Sequence, residues 1–269
     1  MHYFHGCTAL ITGASSGIGR ELAWQLAPRA HALILVARRL DRLEELKKLL
    51  AHEYPQLNVF IYGLDLRSEP DTDAFIKWLG DNNLRINFLV NNAGHGDHGD
   101  FETADWAKIQ SMIDLNVTAL TRLTHRLLPM LKSFEDSAIL NVSSIAGFIP
   151  IPQVAVYSAT KAYVTSFSEA LRIELRNSGV SVTTLCPGPA DTEFGEVARR
   201  TTAIDEETPD FFRVPVEQVA REALEAAAKD KARVIPGWQV AVGVALISLM
   251  PMVLLRIFLS RWQESMREE

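Results

Sequence analysis

The chain has 269 residues, enough for one large α/β domain or two small ones, and 48% hydrophobic residues support a substantial core. A net charge of −6 argues against nucleic acid as a partner, because that ligand is usually met by a basic face. Two cysteines, Cys7 and Cys186, suggest a reducing compartment without a disulfide framework, and the N-terminus lacks the basic-then-apolar order of a signal peptide, so a cytoplasmic location is expected.

The first apolar run, Cys7 to Ile11, predicts a strand that feeds into Thr12-Gly13-Ala14-Ser15-Ser16-Gly17-Ile18-Gly19 and then a helix over Arg20 to Ala27. This pattern reads as a phosphate-cradling turn. Gly13 allows a tight turn, Gly17 lets backbone approach a pyrophosphate, and Gly19 permits close helix–strand packing. The helix N-terminus then offers free N–H groups and a partial positive charge. The spacing is G-x-x-x-G-x-G rather than the commoner G-x-G-x-x-G. The strand–turn–helix context is what separates it from a Gly-rich turn with no ligand.

A second strand is predicted at Ala32 to Val36, ending at Ala37-Arg38-Arg39. NAD-binding folds usually carry an acidic residue there for the ribose 2′-OH. Two guanidiniums suit a phosphate instead, which favours NADP. The alternative leaves Arg38 and Arg39 in solvent, paired with Glu44 or Glu45. Leu40 to Leu50 predicts a helix with Leu40, Leu43, Leu46, Leu49 and Leu50 on one face. Further strands are expected at Val59 to Tyr62, Phe88 to Val90, Ala138 to Val142 and Val180 to Leu185, and a seventh near Arg233 to Ile235. Their Val, Ile and Leu content shows little alternation, as when helices cover both faces. Strand and helix alternate, which predicts right-handed βαβ units in a doubly wound α/β sheet.

Tyr157 and Lys161 stand four residues apart, on one face of a helix, and Tyr157 comes thirteen residues after Ser144. A free tyrosine titrates near about 10, too high for easy proton exchange at neutral pH. A neighbouring ammonium is expected to lower that value, so that the phenol exchanges a proton with a carbonyl oxygen. Ser144 would hold the same oxygen. Tyr-x-x-x-Lys pairs occur by chance on many helices. The joint requirement for Ser144, the Gly-rich turn and the strand order carries the weight.

On Thr12 to Gly19, Asn91-Asn92-Ala93-Gly94, Asn116, Ser144, Tyr157 with Lys161, and Pro187-Gly188 followed by Thr192, the chain resembles the short-chain dehydrogenase/reductase family. The resemblance implies a Rossmann-like sheet of seven strands in the order 3-2-1-4-5-6-7. It implies Ser144 as substrate-orienting residue, Tyr157 as acid/base, and Lys161 as ligand of the nicotinamide ribose. Asn116 would hold a water in a relay to Lys161. Ser15, Ser16 and Ile18 belong to the phosphate turn. Asp65 would contact the adenine with Leu66 beside it, Asn92, Ala93 and Gly94 would line the adenosine ribose, and Thr192 would meet the carboxamide. Ala37-Arg38-Arg39 looks like the NADP(H)-preferring members. The implied strand order also keeps Cys7 and Cys186 apart, with two strands between theirs.

His95-Gly96-Asp97-His98-Gly99-Asp100 has glycines and loop character, which point to a mobile cleft border; no metal is expected. The segment Ile145 to Pro152 is strongly apolar, and Phe194, Phe211 and Phe212 follow Pro187. These residues suit either an apolar substrate or a subunit interface or lid. From Val234 to Leu255 there is no charge, Pro251 interrupts the run, and Arg256, Arg261, Trp262 and Arg267 come after it. A spanning helix needs about 20 apolar residues, so the tail is borderline. The expected organisation is a catalytic domain over 1–237 and an apolar tail over 238–269. The tail either touches a membrane surface or is buried in a homo-dimer or homo-tetramer.

The leading expectation is an NADP-dependent oxidoreductase for a hydrophobic ketone or secondary alcohol, with a 3-oxoacyl or sphingoid-type lipid ketone as the guess. A steroid or small-carbonyl reductase is the alternative. A non-catalytic dinucleotide-binding sensor is the reading from another class, and it has no physical need for a proton relay.

Overall fold

The computed structural model describes residues 4–190, 192–198 and 213–268, and of 196, 197, 258 and 262–268 the backbone alone. Phe211, Phe212 and the side chains of Trp262 and Arg267 therefore lie outside the described residues. Seven parallel strands are β1 (Thr8–Thr12), β2 (Ala32–Ala37), β3 (Asn58–Gly63), β4 (Phe88–Asn91), β5 (Ser137–Val142), β6 (Val180–Leu185) and β7 (Arg233–Val234). Their order is β3-β2-β1-β4-β5-β6-β7, as the resemblance implies.

Strands β1 to β6 alternate their side chains between two cores. Ala9 and Ile11 of β1 join one apolar cluster, and Leu10 joins the other. The first cluster is closed by α1 (Gly17–Leu26), α2 (Leu40–Glu53) and α8 (Val216–Ala228) through Leu22, Leu26, Leu46 and Val219. The second is closed by α3 (Glu69–Asp81), α5 (Leu120–Leu131) and α6 (Ala155–Glu174) through Phe75, Leu123, Leu127 and Leu171. Burying each such side chain contributes roughly 1.5–3 kcal/mol against exposure. Both sheet faces are dry, which is why the strands read as apolar runs.

One polar chain crosses the second core. Asn91 donates to Thr124 Oγ1 (2.9 Å) and to Asn141 Oδ1 (2.8 Å), and Asn141 donates to Ser168 Oγ (2.9 Å). Asn91 and Asn141 are register partners of β4 and β5, so the chain ties these strands to α5 and α6.

Helix α2 corrects one expectation. Leu43, Leu46 and Leu50 are buried, but Leu40 and Leu49 are 42% and 41% exposed. Residues three apart fall about 60° short of a full turn, so nine residues carry a side chain half-way round the helix. A face needs mixed steps of three and four.

Helix α4 (Trp106–Ile113) continues through a π-helical turn, Asp114–Ala119, into α5. The chain ends in α9 (Trp238–Ser248) and α10 (Met252–Glu268), bent by 109° across the break that contains Pro251. No single described helix is long and apolar enough to cross a membrane. Val240 packs into the first core, whereas Trp238, Leu246, Leu249, Val253, Leu254 and Ile257 are exposed.

Urea denaturation distinguishes the two kinds of leucine on α2. Leu43→Ala is expected to cost about 2–5 kcal/mol through lost burial and a cavity. Leu49→Ala should stay within about 0.5 kcal/mol of the parent. Equal losses would overturn the assigned face.

Candidate active site

A cleft of about 1080 Å³ opens at the carboxyl ends of the strands. Every residue expected at the site lines it except Gly19 and Asn116: the Gly-rich turn, Arg38, Arg39, Asp65, Leu66, Asn92 to Gly94, Ser144, Tyr157, Lys161, Pro187, Gly188 and Thr192. The crevice lies where the strand order reverses between β1 and β4, the usual ligand position in open α/β sheets.

The Gly-rich turn is shaped for an anion. Gly13 adopts φ +67°, a left-handed conformation, and a side chain there would meet Ala93 Cα at 2.9 Å. A Cβ on Gly19 would lie 2.5 Å from Gly13 O, so α1 presses directly on the turn. Ser16 gives α1 no side-chain cap, which leaves the helix N–H groups for another acceptor. These features fit a dinucleotide pyrophosphate.

Arg39 reaches over this turn. It donates to Ser15 Oγ (3.2 Å) and Ser16 Oγ (2.8 Å), and pairs with Glu193 at 2.9 Å. Arg42 pairs with the other Glu193 oxygen. Glu44 and Glu45 are therefore not the partners of Arg39. Glu193 opens the short helix α7 (Glu193–Ala198), and its two guanidinium partners hold its carboxyl below the usual range. Arg67 engages both Asp65 oxygens (Nε at 2.9 and 3.1 Å, and a terminal nitrogen at 2.5 Å), which also keeps that carboxyl low. The Asp65 carboxylate expected at an adenine is thus held in place at the cleft wall by Arg67.

The other half of the cleft gathers around Tyr157. Ser144 caps a short 3₁₀ turn, Ile145–Gly147, by accepting from Ala146 N–H (3.1 Å), and its hydroxyl bonds to Tyr157. Ser143 donates to Lys161 O (2.8 Å), which locks the end of β5 onto α6. Phe194 packs its ring on Tyr157 with centroids 5.5 Å apart.

Burial dominates the electrostatics here. It pushes the Tyr157 phenol up to about 12, with the Ser144 bond opposing, and brings Lys161 down to about 8. The expected lowering of Tyr157 by Lys161 is not found. The ammonium donates to Val142 O at 2.9 Å and stands 5.8 Å from the tyrosine ring centre. Its charge is spent on a backbone carbonyl.

Asn116 is buried in the π-helical turn, a distortion often found at functional sites. Its amide donates to His95 O (2.9 Å) and Thr160 Oγ1 (3.1 Å), and its oxygen accepts from His95 N–H (3.1 Å). It mimics a strand partner for the segment after β4. A Cβ built on Gly94 would lie 3.0 Å from Asn116 Oδ1 and 3.5 Å from Lys161 Nζ, so the two groups flank one small gap. The His95 ring bonds to Ser111 Oγ (3.1 Å), and burial lowers its pKa.

Four contributors were not legible beforehand: Arg42, Arg67, Ser111 and Glu193. Only Glu193 carried a signal, an acidic residue directly after Thr192 that balances a basic stretch.

The family model described as short chain dehydrogenase matches residues 7–203. A sulfoacetaldehyde reductase of Chromohalobacter salexigens is 44% identical over 194 residues, which cover 68% of this chain and 72% of that protein. The human very-long-chain 3-oxoacyl-CoA reductase is 30% identical over 212 residues, 76% of this chain and 65% of that one. Among solved structures, a short-chain dehydrogenase from Sphingobium yanoikuyae in complex with NADPH superposes with a TM-score of 0.77 at 33% identity, covering 91% of this chain and 96% of that one. With the seven-stranded parallel sheet and the cleft at its carboxyl edge, this chain belongs to the short-chain dehydrogenase/reductase family of NAD(P)-dependent oxidoreductases that act on C=O and CH–OH groups.

Proposed function

We propose that the protein is an NADPH-dependent reductase of hydrophobic ketones. The observation that carries this reading is the composition of the cleft, which is lined by the guanidiniums of Arg38 and Arg39 and by Leu115, Ile145, Ala146, Ile151, Pro189 and Phe194, the last packed on Tyr157. NADPH, when bound, supplies the hydride. Tyr157 donates the proton to the carbonyl oxygen: burial pushes its phenol up to about 12, so it keeps the proton across the neutral range and gives it up only to the more basic alkoxide that develops as hydride arrives. Ser144, bonded to the phenol, holds the same oxygen. Lys161 binds the nicotinamide ribose, and Asn116 holds a water towards Lys161 across the gap beside Gly94. Gly13 to Gly19, with Asn92 to Gly94, Asp65, Leu66, Pro187, Gly188 and Thr192, seat the dinucleotide. Arg38 and Arg39 take the 2′-phosphate.

Long 3-oxoacyl chains are the favoured ketones, because Ile145, Ile151 and Phe194 give the cleft apolar lining that a polar substrate would not use. A second reading has one supporting observation. Arg213 also lines the cleft, which suits a short aldehyde carrying an anionic group. NADPH oxidation followed over a panel of 3-oxoacyl thioesters, bulky ketones and sulfonated aldehydes separates the two. Turnover confined to the short anionic aldehydes would defeat the hydrophobic assignment.

The tail is read as an anchor to anionic lipid. Between Trp238 and Arg261 the only charges are Arg256 and Arg261, beside exposed Leu249, Val253, Leu254 and Ile257. Removal of 249–269 spares Val240 in the core. The full chain should float with phosphatidylserine-containing vesicles, and the truncated chain should not. A full-length protein that stays off vesicles as a stable dimer or tetramer would sink the anchor.

Two measurements address the chemistry. The Lys161 amine is charged below about 8 and neutral above it, so kcat/KM for reduction should fall as pH rises through that value. A profile flat to pH ~9.5 would remove the ammonium from the mechanism. Arg39→Ala should weaken NADPH about tenfold and leave NADH unchanged. Equal binding of the two nucleotides by the unmodified protein would refute the 2′-phosphate site.

A further inference from the structure

The two arginines that converge on Glu193 bear on more than the stability of the segment. Arg39 follows the end of β2 and, with Arg38, makes the 2′-phosphate site of the NADPH reading. Arg42 lies one turn further along α2, outside that reading. In the structure both guanidiniums meet one carboxylate, each on a different oxygen. Such convergence on a small anion is the arrangement that a phosphate monoester also satisfies. Glu193 arrives from far away in the chain, so nothing local dictates the contact.

We propose that Glu193 is a specificity-determining residue. Its carboxylate is an internal counter-anion that the 2′-phosphate of NADP(H) displaces from Arg39 and Arg42, and Arg42 is thereby a further member of the 2′-phosphate site. The inference rests on the NADPH reading above.

All three side chains are 39–43% exposed, so the ion pairs are screened and exchange readily. A phosphate monoester carries close to two negative charges at neutral pH, against one on the carboxylate, and offers three acceptor oxygens. It therefore outcompetes Glu193 for the same donors. A nucleotide without the 2′-phosphate brings only hydroxyls, and leaves the carboxylate where it is. The pair thus penalises neither NADH nor the empty-handed protein, but takes a fixed share of the affinity for NADPH.

The test is a set of fluorescence titrations of NADPH and NADH, with displacement by 2′,5′-ADP and 5′-AMP, on the full chain and on Glu193→Gln and Arg42→Ala. Glu193→Gln should tighten NADPH and 2′,5′-ADP by about two- to fivefold, the range of an exposed ion pair, with NADH and 5′-AMP unchanged. Arg42→Ala should weaken NADPH and 2′,5′-ADP by about tenfold and spare the other two. Glu193→Ala makes the same comparison if the glutamine variant fails a thermal-melt control. Overturning results are an unchanged NADPH affinity in the Glu193 variants, or an equal gain for all four ligands, which would mean that the cleft merely opens. An unmodified protein that binds NADPH and NADH alike defeats the cofactor reading itself. One that prefers NADPH while Glu193→Gln changes nothing defeats only the role of Glu193.

Discussion

The constraint on which the rest depends is that an all-parallel sheet must be covered on both faces. Every connection then returns over a face, and all seven carboxyl ends gather along one edge. Between β1 and β4 the connections leave in opposite directions, and a crevice opens that no side chain has to carve. The Gly-rich turn follows β1, the Asn92 segment follows β4, Ser144 follows β5 and Pro187 follows β6. Residues spread over most of the chain reach one cleft because topology delivers them there. The helices need only be apolar on one side.

What the chain discloses before folding is local or combinatorial. The five inner strands were legible because a strand buried on both faces cannot alternate, whereas the edge strands β3 and β7 are only partly buried. Gly13 and Gly19 were legible because backbone geometry admits nothing larger at those points. Tyr157 and Lys161 were legible in combination with Ser144, not alone. Leu40 and Leu49 misled because leucines three apart look periodic while drifting around the helix. The π-helical turn at Asn116 was invisible, since one extra residue in a helical turn has no composition signal. Glu193 and Arg67 were hidden for another reason. Glu193 meets Arg39 by tertiary approach from 154 residues away, and Arg67, though only two residues from Asp65, is aimed by a loop and by Ser111, neither of which has a sequence signature.

The electrostatics around Tyr157 show the same limit. An ammonium four residues along a helix reads as a neighbour of the phenol. Whether it acts as one depends on where its hydrogen bonds go. Here the end of β5 presents Val142 O, and a buried ammonium takes the acceptor that is nearest. Burial then acts on the two groups in opposite directions, up for the phenol and down for the amine, since each neutral form is favoured in a dry site. Both effects come from one cause, the closure of α6 over the end of β5.

The amide chain through Asn91 and Asn141 has a consequence for how this sequence can change over generations. Slipping β5 by one residue against β4 would strand both amides among leucines and isoleucines, at roughly 1–3 kcal/mol for each lost partner. Their apolar neighbours Leu89 and Ile139 carry no such directional demand, and exchanges of similar volume there usually cost less than about 1.5 kcal/mol. Alignment of the sheet is thus delegated to two polar side chains. The greasy remainder of the core is free to drift, and substrate-facing loops can be rebuilt on a scaffold whose pairing does not have to be rediscovered.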